Sequence, residues 1–163
     1  MEEKIRKSGI GIIGDIPWGS HICQFYKDKE DLISLLLPYF KAGLENNELC
    51  VWVTSVPLRV DDAIRSLKKE VKNLDDYFIK HQIEIHDYCQ WYTKSGVFEA
   101  DKVLDSWIKK EEQALKGGFD GLRVSGDTLW LEKKDWKNFS EYEEKINNTL
   151  CKLATYKMIL RGK

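Results

Sequence analysis

Leu49-Cys50-Val51-Trp52-Val53-Thr54 is a nearly continuous apolar run. A strand with one wet face alternates apolar and polar side chains. A run without alternation marks a strand covered on both faces, as in parallel sheets. The flanks agree with this reading. Upstream, residues 29–44 place Leu32, Leu35, Leu36, Tyr39, Phe40 and Gly43 at three- and four-residue spacings, which predicts a helix. Pro38 conflicts with it, because its ring removes a backbone donor and favours a kink. Downstream, residues 60–71 predict a second helix through Ala63, Ile64, Leu67 and Val71. Further out, residues 21–26, 83–88, 121–125 and 156–160 read as strands. Residues 100–116 read as a helix stopped by Gly117-Gly118, and a last helix runs from an Asp135 N-cap to about Leu153. Strict alternation of strand and helix predicts an α/β fold of three layers: a mostly parallel sheet flanked by helices on both faces.

Composition limits what such a fold does. The chain has 163 residues, with 26 Lys and Arg against 27 Asp and Glu, a formal net charge of -1 and 42% hydrophobic residues. That length fits one domain over residues 1–163 and leaves none over for a separate DNA-binding or catalytic module. The balanced charge gives no basic field, so nucleic acid is not expected as a direct partner. No apolar run reaches about 18 residues, so no membrane span is expected. The charged stretch before Gly9 lacks an apolar core and is no secretory signal, which predicts a cytoplasmic protein with reduced thiols. Cys23, Cys50, Cys89 and Cys151 form no C-x-x-C pair and are expected to pack as small apolar residues. Aromatics make up 12% of the chain and either fill a core or line a pocket. Trp52 and Trp107 fit the core.

Several residues stand out chemically. On a strand, His21, Cys23 and Phe25 share one face, and Ile22, Gln24 and Tyr26 the other. His21 and Cys23 could line a ligand pocket, pack as structure, supply two metal ligands to zinc, copper or iron, or pair a thiol with a base. A metal needs further donors, and Cys50, Cys89 or His86 would have to converge. Arg123 is a charge inside an apolar strand and needs a partner: Glu111, Glu112 or Asp127 in a structural role, a ligand's carboxylate or phosphate in a functional one. Asp127 follows the strand's carboxyl end, where parallel sheets place their sites. Trp91, Tyr92 and Trp130 are expected near that end too, either as a cup for a small apolar ligand or as aromatics closing the core. The alternating charge runs at 68–70, 109–112 and 132–135 read as solvated faces.

Gly14-Asp-Ile-Pro-Trp-Gly-Ser20 resembles the strand entry of RecA-type ATPases of the circadian-clock KaiC class. Where those proteins carry a glycine-rich phosphate loop ending Gly-Lys-Thr, this chain reads Tyr26-Lys-Asp-Lys-Glu-Asp-Leu-Ile33. It has no glycine to open an anion nest, and its acidic residues repel a triphosphate. The resemblance therefore implies a RecA-like (P-loop NTPase-like) fold with no functional Walker A motif.

A closer resemblance, over nearly the whole chain, is to the MEDS family, a methanogen/methylotroph sensory domain named for a dichloromethane-responsive repressor. It rests on Pro17-Trp-Gly-Ser-His-Ile-Cys-Gln-Phe-Tyr26, Pro38-Tyr-Phe-Lys-Ala-Gly-Leu-Glu-Asn-Asn-Glu-Leu-Cys-Val-Trp-Val-Thr54, Trp91-Tyr92, Gly121-Leu-Arg-Val-Ser-Gly-Asp-Thr-Leu-Trp-Leu131 and Asp135-Trp-Lys-Asn-Phe-Ser-Glu-Tyr-Glu143. The last strand, Lys157-Met-Ile-Leu-Arg-Gly162, departs from the family's Cys-x-Tyr-like ending. The resemblance implies a non-catalytic sensor of a small organic ligand, a hydrocarbon derivative or methylated one-carbon compound. It further implies a histidine kinase or transcription-regulator partner in cis or trans, with no cofactor; a homodimer is plausible for the fold. The candidate ligand-binding set is His21, Cys23, Tyr26, Trp91, Tyr92, Arg123, Asp127 and Trp130. The alternatives are a metal or redox sensor through His21 and Cys23, residual nucleotide or thiol enzymology, and a ligand-free interaction scaffold.

Overall fold

The computed structural model describes residues 5–150 and 154–162. Its centre is a five-stranded parallel sheet in the order β3-β7-β6-β4-β5, formed by β3 (His21–Tyr26), β4 (Leu49–Thr54), β5 (Ile83–Asp87), β6 (Leu122–Asp127) and β7 (Thr155–Gly162). The run at 49–54 forms β4, and all six of its residues are buried. Its side chains divide by parity between two apolar clusters. Cys50 and Trp52 pack with α1 (Lys29–Glu45), α2 (Val60–Glu70) and α3 (Leu74–Ile79) on one face. Leu49, Val51 and Val53 pack with α5 (Ala100–Lys116) and α6 (Trp136–Leu150) on the other. That division is the physical meaning of the missing alternation. Trp52 stacks on Phe40 at 4.9 Å, and Trp107 is buried on the inner face of α5, so both tryptophans are core.

Helix α1 runs through Pro38 without a break. Ahead of the sheet, β1 (Ile5–Lys7) and β2 (Asp15–Pro17) form an antiparallel hairpin that the apolar pattern did not signal. Its loop lies close to α1: Gly9 has φ +83°, and a Cβ there would fall 2.0 Å from the Pro38 carbonyl oxygen. Only glycine permits that approach.

Two short helices also differ from expectation. Asn73, in the left-handed region at φ 56°, turns the chain from α2 into α3. Residues 88–91, read as strand end and loop, form the single turn α4 (Tyr88–Trp91). A capping box explains it: Asp87 accepts from the Cys89 N–H, and the Gln90 side chain accepts from the Asp87 N–H, each at 3.1 Å. A 3-10 turn at Lys133–Asp135 precedes α6, so Asp135 sits inside that turn rather than capping from outside. The expected helix end at 151–153, with Cys151, lies outside the described residues. Cys50 is buried, whereas Cys23 and Cys89 are exposed, which corrects their reading as packed apolar residues. Among the described residues no helix is long and apolar enough to cross a membrane.

Candidate functional site

The turn from β3 into α1 is the place a RecA-type protein holds phosphate, and here it is closed. Only Lys27 and Asp28 separate strand from helix. The Asp31 N–H donates to Asp28 Oδ1 at 2.9 Å, and the Lys27 N–H donates to Asp31 Oδ2 at 3.2 Å. The backbone donors that would cradle an anion are thus satisfied by the chain's own carboxylates. The Tyr26 hydroxyl donates to Asp127 Oδ2 at 2.6 Å, and the Leu129 N–H donates to Oδ1 at 2.9 Å. Tyr26 and Asp127 do meet, but as a buried internal pair. Burial pushes the Asp127 carboxyl up to about 6 against the hydrogen bonds that favour its charge.

Arg123 lies apart from this turn. It lies on the α1 face, fully buried, and its partner is Glu48 rather than Glu111, Glu112 or Asp127. Nε and Nη2 donate to the Glu48 carboxylate at 2.5 and 3.2 Å; the remaining bonds go to the carbonyls of Lys7, Ser8 and Tyr39. These five bonds use all five guanidinium N–H groups, leaving none for a ligand. The guanidinium also lies 4.7 Å from the Tyr39 ring centroid. Glu111 accepts instead from the Ala154 N–H at 2.7 Å and is buried, so the charge run at 109–112 is only partly a solvated face.

The aromatic residues separate. Tyr92, almost fully buried, stacks with Trp130 at 5.1 Å within a cluster of Phe98, Phe139 and Tyr142 that closes the α5–α6 layer. Trp91 turns away to pack on Trp107 at 4.3 Å, beside His86. A shallow cleft of about 260 Å³ touches Trp91 and Tyr92 on its way to Lys94 and Lys102. Trp91 lines that cleft, His21 lines a different groove, and the Arg123 guanidinium is taken up by internal bonds. His86 serves a separate network: burial opposes ionisation of Glu84, but His86 at 2.9 Å and Lys110 at 2.6 Å hold that carboxyl down at about 2.

What His21 and Cys23 do line is a groove of about 340 Å³ between the β3–β7 edge and α6. Parallel register sets His21 beside Lys157, Cys23 beside Ile159 and Phe25 beside Arg161. Alternation then aims all of them at α6. The helix contributes Trp136, Phe139, Ser140 and Glu143, which share its sheet-facing side at three- and four-residue spacings. Phe139 and Ile159 form an apolar wall. Glu143 lies at the His21 end, 3.0 Å from His21 Nε2 and 2.6 Å from the buried Lys157 Nζ. Burial opposes its ionisation, but the Lys157 ammonium and His21 outweigh that and lower its pKa. Partial burial raises the Cys23 thiol, with Arg161 pulling the other way less strongly, so this cysteine lacks the depressed pKa of a nucleophile. Among the described residues no three His, Cys, Asp or Glu side chains gather to hold a metal ion.

Residues 20–159 match the model of the methanogen/methylotroph, DcmR sensory domain, abbreviated MEDS. The chain belongs to the MEDS family. This MEDS domain is 27% identical over 148 residues to the transcriptional repressor DcmR of Methylorubrum extorquens (strain DSM 6343 / CIP 106787 / DM4), a match covering 83% of the domain and 49% of the repressor. The chain thus spans about half the length of that curated relative. A KaiC-like protein from the hyperthermophilic archaeon Pyrococcus horikoshii OT3 superposes with a TM-score of 0.64 at 18% identity, covering 99% of this chain and 71% of that one. At that identity the likeness is one of fold, and the fold is RecA-like. Membership sets the MEDS domain among sensory, regulatory modules.

Of the sequence-selected residues, the MEDS domain gathers only His21 and Cys23 in its groove. Sequence reasoning missed Trp136, Phe139, Ser140, Glu143, Lys157 and Arg161. The signal available was Lys157 and Arg161 at even spacing from Ile159 in an otherwise apolar strand, since two cations on one parity of such a strand ask for a polar neighbour on that face.

Proposed function

We propose that this MEDS domain is a non-catalytic sensor that binds a small organic molecule in the groove between α6 and the β3–β7 edge. One contrast carries the reading. The RecA-like phosphate site is filled by the chain's own side chains, while an apolar-walled groove with a few polar groups stays open on the other face. Family membership supports a sensory role. Ligand binding would tilt α6 against the sheet edge, and the signal requires different affinity for two arrangements of that helix. The output is a kinase or transcription-regulator module, in cis or in trans. In support, the repressor relative is about twice as long as the stretch it shares with this chain.

The test is tryptophan fluorescence and thermal melting of the whole chain against a panel of halogenated, methylated and short-chain organic compounds. A ligand at 100 times its Kd adds about 2.7 kcal/mol, or roughly 5–11 °C in Tm for a domain of this size. Ser140→Phe projects bulk into the groove from an exposed position and is expected to abolish the response without lowering the unliganded Tm. No response across the panel, or micromolar ATP binding by calorimetry, would overturn the proposal.

A further inference from the structure

We infer that the groove selects a small organic anion, in its simplest form a short-chain carboxylate, with the charged head at Arg161 and the apolar body against Phe139 and Ile159. The inference rests on the sensor reading of the same groove and adds the ligand's chemical class. Arg161 closes one end of the groove, its guanidinium 4.6 Å from the Trp136 ring centroid and 6.0 Å from that of Phe25. The Trp136 ring is within cation–π range of the guanidinium, and Phe25 lies at the outer limit of that range. Among the described residues no carboxylate or carbonyl pairs with it, in contrast to Arg123, whose five bonds are all internal.

Among the described residues only one acidic side chain lines the groove, Glu143, and it is already matched: Lys157 holds one oxygen and His21 faces the other. With Glu143 matched by the buried Lys157 behind it, Arg161 is left as the unmatched charge among the described lining residues, and the field inside the groove favours an anion. His21 lies level with Lys157, four residues before Arg161 in the register of β7. At roughly 3.3 Å per residue the two ends are about 13 Å apart, room for a ligand a few carbons long. A carboxylate at Arg161 gains charge-assisted, two-pronged hydrogen bonds that a neutral isostere does not.

Acetate, propionate and butyrate, titrated as sodium salts at constant ionic strength against chloride, are compared with propionamide, butyramide and dichloromethane. Tryptophan fluorescence and Tm report binding to the 163-residue chain, Arg161→Gln, Arg161→Lys and Ser140→Phe. The expected result is saturable carboxylate binding at least about tenfold tighter than the matching amide. Arg161→Gln should reduce carboxylate affinity to the amide level, Arg161→Lys should fall between, and Ser140→Phe should remove both. Arg161 is exposed, so both of its variants are expected to melt with the parent. Amides or dichloromethane binding as tightly as carboxylates overturns this inference and leaves the sensor reading standing. Undiminished carboxylate binding in Arg161→Gln also overturns it. Binding by none of these compounds overturns this inference, and silence across the wider halogenated and methylated panel overturns the sensor reading with it.

Discussion

Glu48→Gln isolates the buried ion pair that removes Arg123 from the ligand set. The substitution keeps the shape of residue 48 but deletes its charge. Glutamine Oε1 accepts one Arg123 N–H, while its amide group confronts the other as donor against donor. The carbonyls of Lys7, Ser8 and Tyr39 keep their bonds, yet a full positive charge is left in a site with no solvent access. Breaking a buried pair from one side costs about 3–5 kcal/mol, and the retained bonds favour the lower end. Against a total stability of about 5–15 kcal/mol, that is a large fraction. Urea unfolding at pH 7, with a slope of roughly 2 kcal/mol per molar, should show the midpoint falling by about 1.5 M. Tm should fall by about 6–12 °C. Arg123→Met also strands three backbone carbonyls and is expected not to accumulate as folded protein. A loss below about 1 kcal/mol in Glu48→Gln, the size of an exposed pair, would refute the reasoning. So would an Arg123→Met chain that folds normally but no longer binds ligand, which would restore Arg123 as an anchor.

Other outcomes follow from the same geometry. Gly43 faces Arg123 across α1, and a Cβ there would lie 2.7 Å from Arg123 Cδ and 2.8 Å from Cys50 Sγ. Gly43→Ala should destabilise by about 1–3 kcal/mol in urea unfolding despite alanine's better helix propensity. Asp127 titrates near 6 when folded and near about 3.9 when unfolded. The native state therefore holds the proton more tightly, and the contribution present below pH 4 is lost as pH rises through 6, a change of order 3 kcal/mol. Glu84, held at about 2, acts in the opposite sense below pH 4. The Asp127 effect is read as the difference between wild type and Asp127→Asn at pH 4 and pH 7, and a difference independent of pH would refute it.

Much of the architecture is legible in one dimension. The run at 49–54 identified a doubly covered strand because parity has no consequence when both faces are buried. The stripes of α1, α2 and α5 follow from helical spacing. The elements that escaped are short and begin at local features that carry no apolar period: α4 at the Asp87–Gln90 capping box, and α3 at a left-handed backbone turn on Asn73, after which Leu74 enters the core. Their apolar residues are too few for a moment to stand out. The hairpin escaped for another reason. Its Lys7 and Ser8 carbonyls find their donors on Arg123, more than a hundred residues away.

The site was legible only in part. His21 and Cys23 were placed on one strand face by period alone, and the groove confirms that they share it. Trp91, Tyr92 and Trp130 were grouped by nearness to strand ends, but a single helical turn rotates adjacent residues by about 100°, which sends Trp91 toward Trp107 and Tyr92 toward Trp130. The sequence by itself determined the α/β class, the two-sided burial of the central strand, the missing phosphate loop and the requirement that Arg123 find a partner. Those are properties of spacing and of single side chains, and burial charges the same cost wherever the chain is. Only the tertiary structure decided that the partner is Glu48, that Asp127 is held by Tyr26, and that β3 pairs with β7. The last pairing sets Arg161 and Lys157 beside His21 and Cys23 under α6, because strand order and register are settled by contacts between segments more than a hundred residues apart.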